Sequence, residues 1–154
     1  MDMIVENTLR EFLAKAGIAC SGIEKQTIAG QTVFSIQTTD TASLIGAHGD
    51  TIYAIDMLVK KLVERATKTA ENAEEPLFLI DVGGYRSQKL TELETKALMM
   101  ADRARSFQYD VELSPMSAYE RLIVHTVLSN QPQIKTESQG EGRGRRVVIK
   151  YQAA

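Results

Sequence analysis

Three groups of residues have types and spacing suited to gripping a phosphate backbone. The first is Gly46-Ala47-His48-Gly49, in which two glycines bracket two other residues. Glycine at both ends allows close approach of a backbone, and the N–H groups that open a following helix favour an anion. In a chain with ten glycines the tetrapeptide alone says little, and its structural alternative is a tight turn between helices. The second group is Arg121 with His125, four positions and therefore one helical turn apart. Arginine offers a planar fork for phosphate and can stack on a base; histidine can stack or donate one hydrogen bond. An isolated pair of this kind also fits an ordinary solvated helix face. The third group is Arg143, Arg145 and Arg146 in a glycine-rich stretch. Such arginines suit phosphate contacts, and equally suit the charged hairpin tip that keeps a β edge soluble.

The residues of other chemistries are missing. Cys20 is the lone cysteine, so no internal disulfide and no cysteine-based zinc site is expected. His48 and His125 are the two histidines, and neither has a second histidine at metal-ligand spacing. No phosphate loop of the G-x-x-x-x-G-K type occurs, and Gly140, Gly142 and Gly144 do not follow a strand and open a helix as a dinucleotide site requires. No catalytic residue, metal or cofactor is expected, and the reading is that of a binding protein.

The elements that must carry these groups follow from periodicity. Val5, Leu9, Phe12, Leu13 and Ala16 recur at helical spacing, with Gly17 where a left-handed cap belongs. The β-branched stretch after Ala19 alternates through Phe34 to Gln37, with Ala29-Gly30 as a turn, and predicts two strands. A short helix from Asp40 or Thr41 is cut at Gly46, and a longer one follows Gly49 with the stripe Ile52, Ile55, Val59, Leu62 and Ala66. A polar connector from Lys68 to Glu75 leads to a strand over Leu77 to Val82. Beyond Gly83-Gly84 the stripe Leu90, Leu93, Ala97, Met100, Ala104 and Phe107 predicts a long helix, then a strand over Tyr109 to Leu113. Ser117 and Glu120 have capping-box spacing and open a helix through about Ser129. On that helix Tyr119, Leu122, Ile123 and Val127 are expected to form the apolar side, leaving Arg121 and His125 exposed together. Ile134 to Ser138 and Arg146 to Tyr151 predict a hairpin with a flexible basic tip.

Charge is uneven. Residues 1–83 hold 7 Lys or Arg against 12 Asp or Glu, a balance of −5, whereas residues 84–154 hold 11 against 8, a balance of +3. A phosphate backbone is therefore drawn to the second half. The first residues mix acidic with apolar side chains, unlike a secretory signal, and the apolar runs are far too short to span a bilayer. A cytoplasmic protein without a transmembrane segment is expected.

The order helix, strand, strand, helix, glycine turn, helix, strand resembles a type II KH domain over 1–83, and residues 84–154 resemble the R-3-H domain, named for an arginine and a histidine separated by three residues. Together, in an α+β chain, they are similar to the Jag family of bacterial proteins. The matching stretches are LIGAHGDTIYAIDMLV, DVGGYRSQK, VELSPMSAYERLIVH and TESQGEGRGRRVVIKY. The resemblance implies binding of single-stranded RNA or DNA, with Gly46, Ala47, His48 and Gly49 clamping backbone and Arg121 and His125 contacting the strand. It adds Arg86, in the GYR sequence, as a further contact. KH clamps usually carry a Lys or Arg between their glycines; Ala47-His48 lacks that fixed charge, and acidic Asp50 follows. This departure and the acidic first half favour a second reading, an adaptor that pairs with a partner KH protein or a second copy, or works beside a membrane insertase.

Overall fold

A computed structural model describes residues 1–67 and 77–153 of the chain, which divides into two compact units, Met1–Gln88 and Lys89–Ala154. The polar connector expected from Lys68 to Glu75 lies outside the described residues.

In the first unit, Val5, Leu9 and Leu13 form the buried side of helix α1 (Asp2–Lys15). The helix closes with Gly17 at φ 69° and a bond from Ile18 N–H back to Leu13 C=O, the six-to-one closure that a glycine without Cβ permits. Strands β1 (Gly22–Ile28) and β2 (Gln31–Gln37) are antiparallel. Ala29 and Gly30 between them both have positive φ, the primed turn that matches strand twist. Helices α2 (Thr41–Ile45) and α3 (Asp50–Thr67) flank the glycine turn, and β3 (Leu79–Val82) returns parallel to β2, so β2 is central. That is the α-β-β-α-α-β order expected of a type II KH fold. Leu9, Leu13, Phe34, Ile36, Ile52, Val59 and Ile80 fill the core.

Two details differ from expectation. The buried stripe of α3 is Ile52, Ile55, Val59 and Val63, with Leu62 42% exposed and Ala66 also at the surface. Over several turns the phase of a helix with ~3.6 residues per turn decides which position faces inward, and Val63 rather than Leu62 completes the stripe. Strand pairing starts at Leu79, not Leu77, which is exposed.

The Asp81-Val-Gly-Gly-Tyr-Arg-Ser corner is built around one carboxylate. Asp81 is fully buried; its Oδ1 accepts from Val82 N and Arg86 N, each at 2.8 Å, and its Oδ2 accepts from Ser87 N at 3.2 Å and from the Ser87 hydroxyl. It thereby satisfies open N–H groups of the first turn of α4 (Tyr85–Phe107). Gly83 (φ 59°) and Gly84 (φ 74°) fold the chain back far enough for this.

In the second unit α4 buries Ala97, Ala101 and Ala104 against Val111, Leu113, Val124, Leu128, Val147 and Ile149. The stripe thus runs through Ala101 rather than Met100. Phe107, expected inside, is 68% exposed: the chain turns at Gln108 (φ 56°), and the ring meets Tyr109 instead, 6.0 Å between centroids. Strand β4 is only Val111–Glu112, followed by α5 (Ala118–Leu128), β5 (Ile134–Gln139) and β6 (Arg146–Tyr151). The antiparallel sheet has the order β4-β6-β5, leaving β5 at an edge. Helix, strand, helix, strand, strand is the order expected. No helix among the described residues is long and apolar enough to cross a membrane.

Candidate nucleic-acid interface

The glycine turn is held rigidly. Gly46 has φ 72° and Gly49 φ 85°, both disfavoured for side-chain-bearing residues. A Cβ on Gly46 would fall 2.1 Å from Thr51 Oγ1, and one on Gly49 would fall 2.7 Å from Tyr85 Cε1 and 3.1 Å from Tyr53 Cε2. Both glycines are therefore required by space as well as by conformation. Between them Ala47 and His48 are both exposed, and His48 is itself left-handed at φ 54°. Ala47 to Gly49 form one tight helical turn, after which α3 opens at Asp50. The exposed Asp50 carboxylate in that first turn opposes an incoming phosphate.

Arg86 is placed differently from expectation. It is 8% exposed, its Nη1 lies 2.9 Å from Asp56 Oδ1 and donates to Ile80 O at 3.3 Å, and its guanidinium sits 4.8 Å from the centroid of the Tyr53 ring. Asp56 in turn accepts from Ile80 N at 2.9 Å and from Lys60 Nζ at 2.7 Å. The helical step from Tyr85 turns Arg86 inward to neutralise this buried carboxylate, so it is an internal counter-ion rather than a surface contact.

In the second unit the capping box forms in both directions: Ser117 Oγ accepts from Glu120 N at 3.3 Å, and Ser117 N donates to Glu120 Oε2 at 2.7 Å. It fixes the start of α5 and so the positions of Arg121 and His125. The buried side of α5 is Ile123, Val124 and Leu128, while Tyr119 and Leu122 are 38% and 51% exposed. The buried side is thus rotated by about a residue from the expected one, and Arg121 and His125 lie at its margin, half-buried rather than fully exposed.

That margin gives each a partner. Arg121 Nη1 donates to Met116 O at 2.9 Å, which orients the guanidinium while leaving other N–H groups of the fork for a ligand. His125 Nδ1 lies 2.6 Å from Thr136 Oγ1 on the edge strand β5. Burial, and secondarily the Arg121 charge, push the His125 pKa below the ordinary histidine value, so the ring is neutral at pH 7.

The arginine loop is a structured turn, with Gly144 N bonded to Glu141 O and Arg145 N to Gly142 O. Arg143 and Arg121 line the same cleft, together with Pro115, Met116, Ser117, Ala118 and Gly142. Arg145 is exposed, and its Nε donates to Ser138 Oγ at 3.1 Å, one alternation along β5 from Thr136. Arg146 differs in having a carboxylate partner. It is the first residue of β6 and holds Glu112 Oε2 at 2.6 Å, a pairing that raises the arginine pKa and lowers that of the carboxylate. Its charge is compensated within the sheet. The structure therefore assembles Arg121, Arg143, Arg145 and His125 along the start of α5 and the edge of β5. The hydroxyls of Thr136 and Ser138 join them; their alternation on a strand is readable in the sequence, but their pairing with α5 and the loop is not.

The R-3-H domain model matches residues 89–151. RNA-binding protein KhpB of Bacillus subtilis (strain 168) is 32% identical over 120 residues, covering 77% of this chain and 55% of its own. KhpB of Clostridium symbiosum is 30% identical over 115 residues, with 75% and 50% covered. KhpB of Streptococcus pneumoniae serotype 2 is 28% identical over 115 residues, with 74% and 33% covered. The chain spans about half the length of the first two of these relatives. The chain is a relative of the Jag-family proteins named KhpB, and its residues 89–151 form an R-3-H domain.

Proposed function

We propose that this chain is a non-enzymatic binder of single-stranded RNA, acting in the cytoplasm in post-transcriptional control. The observation that carries the proposal is the placement of Arg121, Arg143, Arg145 and His125 along α5, the arginine loop and the edge strand β5. The guanidinium forks take phosphates and the imidazole supplies a ring for a base. The KhpB relatives are named as RNA-binding proteins, which supports the same partner. A KH domain over residues 1–83 adds the backbone N–H groups of the Gly46–Gly49 turn as a weaker second contact. Among the sequence candidates, Arg86 and Arg146 are left out of the interface because each neutralises a carboxylate.

The test is a fluorescence-anisotropy titration of the intact chain with labelled single-stranded RNA and, separately, single-stranded DNA at several salt concentrations. Saturable binding that weakens with salt supports the proposal. No binding of either strand at low salt sinks it.

A second reading, a protein-interaction adaptor, is favoured by one observation. Helix α3 exposes Met57, Leu58 and Leu62, at 61%, 49% and 42%, on an acidic unit. Pairing with another KH protein or with a second copy would cover these side chains.

A further inference from the structure

Tyr53 has no role in the interface described so far, yet its ring lies against the glycine turn and the residue is 45% exposed. It stands in the first turn of α3, one helical turn beyond Gly49. Its Cε2 edge abuts Gly49, where an added Cβ would lie only 3.1 Å away. One face of the ring is covered by the Arg86 guanidinium at 4.8 Å from the centroid. That guanidinium is itself pinned by Asp56 at 2.9 Å and by Ile80 O at 3.3 Å, with its side chain 9% exposed. The Arg86 contact closes one face of the ring, and the residue is 45% exposed all the same.

We propose that Tyr53 is a stacking platform for one nucleobase of a strand whose backbone lies on the Gly46–Gly49 turn. The inference rests on the RNA-binding reading and extends it from backbone to base. Three features carry it. The ring is fixed before any ligand arrives, because the buried cation holds one face and Gly49 one edge, so little ordering remains to be done on binding. An aromatic face accepts any base, since every base has a π face. The position next to the glycines matches the step between a phosphate and its own base, and it supplies an attraction in a unit whose turn lacks fixed positive charge. Arg86, expected at the surface, then acts through Tyr53 as a positioning residue.

The chain contains no tryptophan, so Tyr53→Trp places a single indole reporter at this site in the intact protein. It is titrated with a short oligouridine and with an abasic strand of equal length, following indole fluorescence together with anisotropy of a terminal label. The expected result is quenching that saturates with the oligouridine binding curve and is largely absent with the abasic strand. In parallel, Tyr53→Leu should bind oligouridine roughly 5- to 100-fold more weakly, the range expected for one lost base stack, and Tyr53→Phe should stay within about twofold of the original. Melting temperatures of the variants separate a contact from a folding defect; the indole titration keeps the inference falsifiable if Tyr53→Leu unfolds. Binding by anisotropy without indole quenching, equal quenching by the abasic strand, or unchanged affinity in a folded Tyr53→Leu overturns the inference while leaving RNA binding intact. Failure of the unaltered protein to bind RNA overturns the functional reading, and this inference with it.

Discussion

His125 Nδ1 and Thr136 Oγ1 lie 2.6 Å apart, joining the helix that carries the Arg/His pair to the edge strand of its sheet. The contact sets the orientation of the ring, and burial keeps that ring neutral. The sign of the pH effect follows. A folded pKa below the ordinary value of ~6.5 means that the unfolded chain binds the proton more readily. The contribution of His125 to stability is thus fully present above about pH 6.5 and is lost as pH falls from there through the lowered folded pKa. An NMR titration of the His125 ring should show a midpoint below that of an ordinary histidine. Because the Arg121 charge also opposes protonation, Arg121→Met should move the midpoint upward; a midpoint at the ordinary value before substitution contradicts the burial.

Thr136→Val keeps the shape of the side chain and removes the hydroxyl. It should destabilise the second unit by about 0.5–1.5 kcal/mol, the net value of one such bond. Chemical denaturation followed at about pH 8, where the ring is neutral in both states, gives this figure without interference from titration. No loss of stability would mean that Nδ1 finds another partner.

Arg86→Met tests the reassignment of Arg86 from surface contact to internal counter-ion. Asp56 Oδ1 would lose its cation and keep the Ile80 N–H, while Lys60 Nζ still holds Oδ2 at 2.7 Å. The expected cost is about 3 kcal/mol, the lower end of the range for opening a buried pair. Thermal unfolding with the variant as stable as the original would return Arg86 to the surface.

The two inner residues of the glycine turn and the glycines themselves should behave differently. Gly49→Ala combines a positive φ with a 2.7 Å encounter with Tyr85, and should lower stability by roughly 2 kcal/mol or more. Ala47→Asp with His48→Asp changes the two side chains between the glycines, and aspartate tolerates the left-handed conformation at position 48. That double variant should keep its melting temperature and weaken RNA binding through charge. A turn that tolerates alanine at Gly49 would refute the steric account.

Most of the fold is legible in the sequence, because its elements are announced by local physics. Ala29-Gly30, the Ser117/Glu120 box and Gly17 act within a few residues, and the structure places each as expected. The positions that depart from expectation share one cause: they depend on more than their immediate neighbours. Val63 displaces Leu62 because helical phase accumulates over successive turns, and Phe107 is exposed because the chain turns at Gln108. The candidate site shows the same limit. Arg121, His125 and Arg143 are visible as residue types, whereas the partners Met116 O, Thr136 and Ser138 come from other elements. Arg86 and Arg146 read as surface contacts for the converse reason, since only the folded chain brings Asp56 and Glu112 to them.

The measurement that bears most directly on the account is the salt dependence of RNA affinity for the original chain and for the variant carrying Arg121→Ala with His125→Ala. Arg121, Arg143 and Arg145 facing about three phosphates should give a log–log slope of about −2, at ~0.7 per phosphate on a single strand. The double variant should bind more weakly by roughly 1–3 kcal/mol and lose about one phosphate's worth of slope. A folded double variant with unchanged affinity and slope, beside an Ala47→Asp, His48→Asp variant that no longer binds, would contradict the account and move the dominant contact to the first unit.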